Sequence, residues 1–215
     1  MKEVAGSLPP KSSAHDRILL AGKQFFAEHG YENTSTVSIA RAAQTSESQI
    51  VKHFGSKEGL LEAIFETGWG RIAEAFGAVE YLSSPSAKLQ ALVGLILTKL
   101  DEDAQLKQLM LLEGRRIRKE GNMILMTRGY LHLIRTVDAL LGEMSSAGQL
   151  RPELNVQAVR SAIVGMMEGL LRDQILATRV GYPAAFNSED IRHLFLHVLQ
   201  SFFATPVRMV TRAQQ

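Results

Sequence analysis

Apolar residues recur at helical spacing along most of this chain. Ile18, Ala21 and Phe25 follow at three- and four-residue steps, with Phe26 widening the stripe, which predicts a helix between Ser13 and Gly30. Ser13 is placed as its N-cap with Asp16 three residues on, and Gly30 is placed to end it in a left-handed conformation. Two shorter helices are predicted next. Ile39 and Ala43 lie four apart on the first, and Ile50 and Phe54 four apart on the second, so each pair faces one small core. The residues left outside the second, Glu47, Ser48, Gln49 and Lys52, are polar. Phe54-Gly55-Ser56 closes this pair, and Ser56 is placed to cap a further helix from Lys57. Leu60, Leu61, Ile64 and Phe65 fill the buried side of that helix, which runs on past Trp69. Two short helices around a tight turn, the second polar outside, form the pattern of a helix-turn-helix that enters a DNA major groove.

From about residue 80 the periodicity is helical and no segment reads as a strand. Ser83-Ser84-Pro85-Ser86 is a break, after which Leu89, Leu92, Val93, Leu95, Ile96 and Leu100 mark a buried helix. Leu106, Leu109, Met110 and Ile117 mark the next, with Gly121 as a stop. Met123 to Met144 reads as a long helix with Gly148 as its C-cap. A turn at Arg151-Pro152 precedes a helix from about Val156 to Leu176, and a loop over 179–187 precedes the last helix, opened by Ser188, Glu189 and Asp190. The fold class is therefore all-α, with about nine helices.

The helix from Val156 is apolar on two sides. Val156, Val159, Ile163, Met166 and Leu170 form one stripe; Val164, Met167, Leu171 and Ile175 form another, with Ala158, Ala162, Gly165 and Gly169 as a small-residue strip. A soluble helix of this kind needs partners on both sides. One is its own domain, and a second subunit is the expected other. Ala162, Gly165 and Gly169 are the candidate dimer-interface residues here, with Ile191, Phe195, Val198 and Phe202 from the last helix.

Composition narrows the function classes. With 215 residues, 46% of them hydrophobic, the chain can bury a proper core. No apolar run approaches the ~18 residues of a membrane span, and the first residues lack the apolar stretch of a secretory signal. Zero cysteines exclude disulfides and thiol chemistry and fit a cytoplasmic protein. The net charge is only +2, and over residues 1–65 seven Lys/Arg balance seven Asp/Glu. Attraction to DNA must then come from the placement of Lys52, His53 and Lys57 rather than from net charge.

No Ser-His-acid order, Gly-rich phosphate loop or paired carboxylate makes an enzyme case, and no cofactor is expected. His193 and His197 are four apart, but two ligands do not make a metal site, so none is assigned. Arg115, Arg116, Arg118 and Lys119 fit a solvated helix end better than an acidic-ligand site. Met110, Met126, Met166 and Met167 with Tyr130 and Trp69 are candidates for an adaptable apolar ligand pocket, against plain core packing.

Residues Arg17 to Phe65 resemble the TetR family of bacterial transcriptional regulators. The resemblance is carried by Phe26-Ala27-Glu28-His29-Gly30-Tyr31, by Ser35-Thr36-Val37-Ser38-Ile39-Ala40-Arg41-Ala42-Ala43, by Ile50 and His53-Phe54, and by Ser56-Lys57-Glu58-Gly59-Leu60-Leu61. It implies that Ser35, Thr36, His53 and Lys57 contact DNA phosphates, fixing register. It also implies that Val37, Glu47, Ser48, Gln49 and Lys52 face bases. Gln49 suits adenine, Lys52 guanine, Val37 a thymine methyl and Glu47 a cytosine amine, or Glu47 simply sits at a helix N-terminus. The chain departs from the pattern at Gln44, where the turn usually has glycine, at Val51, often tyrosine, and at Glu47, often lysine or neutral.

The expected organisation is a flexible arm at 1–12, a helix-turn-helix DNA-binding domain at 13–65, a ligand-binding and dimerisation domain at 66–205, and a tail at 206–215. The expected function is a homodimeric DNA-binding regulator, a repressor released from a palindromic operator by a small, mainly apolar effector. Double-stranded DNA, a second copy and that effector are its partners, and no membrane is. The alternative is a ligand-binding or protein-interaction module with weak or lost DNA binding.

Overall fold

The computed structural model describes residues 12–112 and 127–204. Among the described residues there are nine α-helices: α1 (Ala14–His29), α2 (Thr36–Ala42), α3 (Glu47–Phe54), α4 (Lys57–Glu74), α5 (Pro85–Glu102), α6 (Ala104–Leu112), α7 (Arg128–Ser146), α8 (Val156–Val180) and α9 (Ser188–Phe202). A 3-10 turn at Ala75–Ala78 follows α4. An isolated antiparallel bridge pairs Leu150 with Phe203. The expected arm up to residue 11, the tail, Met123, Met126 and the basic run at 115–119 lie outside the described residues.

The helix ends follow side-chain chemistry that the sequence announces. The Ser13 hydroxyl accepts from the Asp16 N–H at 3.1 Å, and Gly30 ends α1 at a φ of 81°. Ser56 accepts from the Gly59 N–H at 3.0 Å where α4 begins. The last helix is capped one residue earlier than expected, by Asn187, whose side chain and that of Asp190 form a reciprocal capping box. α8 continues to Val180 rather than stopping near Leu176, because the first residue to leave helical backbone is the left-handed Gly181 at φ 69°.

The chain divides into two compact units, Met1–Arg71 with Leu100–Tyr130, and Ile72–Lys99 with Leu131–Gln215. The sequence division at residue 65 is contiguous; the first unit is not, since it takes in α6. Its core joins Ile18 and Phe26 of α1, Ile39 and Ala43, Ile50, and Leu60, Leu61, Ile64 and Phe65 of α4 with Leu106 and Leu109 of α6. Phe25 and Phe54 are partly buried against this core. A part-buried ion pair, Lys23 Nζ to Asp103 Oδ2 at 2.7 Å, fastens α1 to the start of α6. The Gln108 amide donates to the Ala27 carbonyl a few residues on. Burial works to raise the Asp103 carboxyl, but the bonds from Lys23 and the Leu106 N–H outweigh it and hold the group below its ordinary range.

In the second unit Leu133, Val137, Leu141 and Met144 of α7, Val159, Ile163, Val164, Met167 and Leu171 of α8, and Ile191, Phe195 and Leu199 of α9 are buried. The Arg160 guanidinium reaches Asp138 at 2.8 Å, joining α8 to α7. Backbone bonds from Arg151 N–H to the Phe202 carbonyl and from Ala204 N–H to the Gln149 carbonyl tie the α7–α8 connection to the end of α9.

Candidate nucleic-acid interface

The α2–α3 pair is built around three fully buried residues, Ile39, Ala43 and Ile50. Its turn is a Schellman motif: the Thr45 N–H bonds the Ala40 carbonyl at 2.9 Å and the Gln44 N–H bonds the Arg41 carbonyl at 3.1 Å. That motif needs a left-handed residue, and Gln44 supplies it at φ 50°, the one non-glycine with positive φ among the described residues. The departure from glycine has thus left the turn's shape intact and put backbone strain into it. The Arg17 guanidinium braces the same turn, donating to the Ala43 carbonyl at 2.9 Å and to the Ser12 carbonyl at 2.8 Å.

Outside this core, α3 presents Glu47, Ser48, Val51, Lys52 and His53 to solvent, with Gln49 half-buried. Val37 on α2 is 48% exposed and Val51 is 61% exposed. Of the five expected base-facing residues, Val37, Glu47, Ser48 and Lys52 are thus exposed and Gln49 is half-buried. Val51, which the sequence singled out only as a missing tyrosine, is an additional apolar residue on the same face. Its i+1 position beside Ile50 already put it outside the core.

Of the four expected phosphate contacts, Ser35 and His53 are exposed and Thr36 and Lys57 half-buried, and each is engaged within the chain. The Ser35 hydroxyl caps α2, accepting from the Ser38 N–H at 3.1 Å, and shares a 2.8 Å bond with the Ser38 hydroxyl. The Thr36 hydroxyl donates to the Glu47 carboxylate across the turn. Lys57 donates to the Tyr31 and Thr34 carbonyls at 3.0 and 3.1 Å, with its ammonium 4.3 Å from the centroid of the Tyr31 ring. It thereby holds the loop that delivers α2. His53 is held by ring contacts, 5.8 Å from His15 and 6.1 Å from Phe54. His15 stacks on Phe54 at 4.9 Å, and its bond to Asp16, with that of Ser13, keeps the Asp16 carboxyl below its ordinary range.

α4 leaves this surface at Lys57 and meets α3 closely. A Cβ on Gly59 would sit 2.0 Å from the Phe54 carbonyl oxygen, so only glycine allows this approach. Further along α4, Trp69 packs 5.5 Å from Tyr130, and Glu66 accepts from the Gly129 N–H at 3.2 Å. Of the other pocket candidates, Met110 is partly buried against the first core, Met167 is buried and Met166 half-buried. A cavity of about 400 Å³ in the first unit is lined by other residues, among them His15, Lys23, Thr67, Arg71 and Asp103.

On the candidate dimer surface Ala162 and Gly165 are exposed and Gly169 half-buried, while Val198 and Phe202 are half-buried. Ile191 and Phe195 are each 1% exposed within the single chain, which leaves the outer side of α9 to Leu194, 43% exposed, and its neighbours. His193 bonds Glu189 at 3.1 Å rather than joining a ligand set, and no metal-binding group occurs among the described residues. No helix among them is long and apolar enough to cross a membrane.

The family described as bacterial regulatory proteins, tetR family, matches residues 18–64, and that described as YsiA-like protein, C-terminal region, matches residues 70–198. The fatty acid metabolism regulator protein of Bacillus subtilis is 26% identical over 163 residues, covering 74% of this chain and 81% of that protein. The transcriptional repressor AcnR of Corynebacterium glutamicum is 36% identical over 74 residues, 34% of this chain and 38% of its own length. Among solved structures, the fatty acid degradation regulator FadR of Bacillus halodurans has a TM-score of 0.76 at 22% identity, covering 89% of this chain and 97% of that one. FadR of Bacillus subtilis in complex with stearoyl-CoA has a TM-score of 0.74 at 20% identity, covering 88% and 100%. These structural likenesses concern the fold, while the two family matches together run from residue 18 to residue 198. A helix-turn-helix with an exposed polar recognition face, followed by the helical region of the same regulators, makes this chain a member of the TetR family of DNA-binding transcriptional regulators.

Proposed function

We propose that the chain works as a homodimeric repressor that leaves a near-palindromic operator when a small, mainly apolar effector binds. The observation that carries the DNA reading is α3 itself: Ile50 is fully buried while Ser48, Val51 and Lys52 stand exposed on its outer side. Lys52 and Gln49 have the donors to read guanine and adenine, and Val37 the methyl surface for thymine. Two such helices related by a two-fold axis need half-sites about one DNA turn, ~34–36 Å, apart or a multiple of it.

Dimerisation draws its support from the exposed small residues Ala162 and Gly165 on α8. On α9 the contact passes to the side bearing Leu194, since Ile191 and Phe195 already serve the chain's own core. The apolar effector draws its support from the relatives: a long acyl chain, as in the stearoyl-CoA held by the Bacillus subtilis FadR, is the class to try first. α4 is one uninterrupted helix from Lys57 to Glu74. It is the natural lever, and an effector with unequal affinity for two positions of it would supply ~1–3 kcal/mol of coupling.

Selection of bound duplexes from a random pool, followed by titration of acyl-CoA thioesters of increasing chain length, tests both halves. A symmetric site released by a long-chain thioester is expected. An asymmetric or absent consensus sinks the dimeric DNA reading, and affinity indifferent to every thioester sinks the effector class. The alternative of a module with weakened DNA binding is favoured by one observation, the internal bonding of Ser35, Thr36 and Lys57. A flat salt response of duplex binding would support it.

A further inference from the structure

Thr36 is the first residue of α2 and Glu47 the first of α3, eleven positions apart and on either side of the turn. The Thr36 hydroxyl has a single proton, and it is committed to the Glu47 carboxylate. A carboxylate is a stronger acceptor than a neutral oxygen, so this is a charge-assisted bond. It competes on equal terms with the anionic phosphate oxygen that the same hydroxyl would otherwise meet. The helix N-terminus favours a carboxylate at Glu47 but does not require that it take the Thr36 proton. Ser46, the N-cap, makes no side-chain capping bond and shares its hydroxyl with Ser48 at 2.7 Å instead.

We propose that Glu47 is a built-in competitor of the DNA backbone for the Thr36 hydroxyl, setting the affinity for all duplexes rather than reading a base. This rests on the DNA-binding surface proposed above. For Thr36 to reach a phosphate, the bond to Glu47 must break. The freed carboxylate then lies close to the incoming phosphate and repels it. Both effects are independent of base identity, because neither involves a groove edge. Glu47 thus lowers specific and non-specific binding together. A formally neutral first 65 residues is consistent with a surface whose attraction is held back in this way.

The test is a double-mutant cycle with Glu47→Gln and Thr36→Val, measuring affinity for the selected operator and for a random duplex at two salt concentrations. Glu47→Gln keeps the side chain's shape and removes its charge. It is expected to tighten binding to both duplexes roughly tenfold, with their ratio and the selected consensus unchanged. In the Thr36→Val background the gain should fall to about threefold, the part due to repulsion alone. A loss of operator affinity with relaxed preference at one base pair makes Glu47 a base reader and overturns the proposal. So does a gain undiminished by Thr36→Val. Duplex binding by neither the parent chain nor Glu47→Gln overturns the DNA-binding surface and this proposal with it. Equal binding by both overturns the competitor alone.

Discussion

The Phe54 carbonyl oxygen occupies the space where any side chain at Gly59 would begin, 2.0 Å from the position of a Cβ. Backbone oxygen cannot swing away as a side chain can. Gly59→Ala is therefore expected to force α3 and α4 apart, costing about 1–3 kcal/mol of stability and abolishing operator binding at protein concentrations that saturate the parent. Urea unfolding and duplex titration read the two effects separately. A stable, fully binding variant would mean that the α3–α4 junction has slack.

Gln44 sits in the left-handed region at φ 50°. A side chain there costs roughly 1–2 kcal/mol, while glycine gives back roughly 0.5–1 kcal/mol in unfolded-state entropy. Gln44→Gly is expected to stabilise the chain by about 0.5–1 kcal/mol and to leave the selected DNA site unchanged. A destabilised variant would show that the Gln44 side chain contributes more than its backbone strain removes.

Lys57 is expected to serve twice. Its bonds to the Tyr31 and Thr34 carbonyls hold the approach to α2. Lys57→Met should cost about 2 kcal/mol of stability and lower the salt slope of duplex binding by about 1. Stability loss with an unchanged slope would assign Lys57 to the fold alone.

The Lys23–Asp103 pair gives the fold a pH signature. The folded carboxyl lies below its ordinary value of 3.8, so its contribution is present above that pH and disappears as pH falls through the folded value. Lys23→Met is expected to cost about 1 kcal/mol at pH 7 and progressively less toward pH 2, as the folded Asp103 carboxyl takes up its proton. Chemical denaturation at the two pH values measures it. Equal losses at both would assign the effect to packing of the lysine stem.

Much of this was legible in the sequence where the information is local. The stripes at Ile18, Ile39, Ile50 and Leu60 state which faces are buried, and caps such as Ser13 and Ser56 act within three residues. What was not legible depends on partners far along the chain. An amphipathic stripe says that Ile191 and Phe195 are buried, not against what, and the structure places them in the chain's own core. The Thr36–Glu47 bond and the attachment of α6 to α1 are tertiary facts of the same kind. The resemblance marked Gln44 as a departure, but only the backbone shows that it keeps the turn's left-handed shape.

The place of α6 in the first core also bears on how the protein is made. Leu106 and Leu109 help to close a core whose other members all precede residue 66. On a ribosome adding ~5–20 residues per second, the segment from Ile72 to Leu112 takes roughly two to eight seconds to emerge. For that interval the newly made α1–α4 segment waits with an uncovered apolar edge, and a chaperone that shields nascent chains would find its first target there.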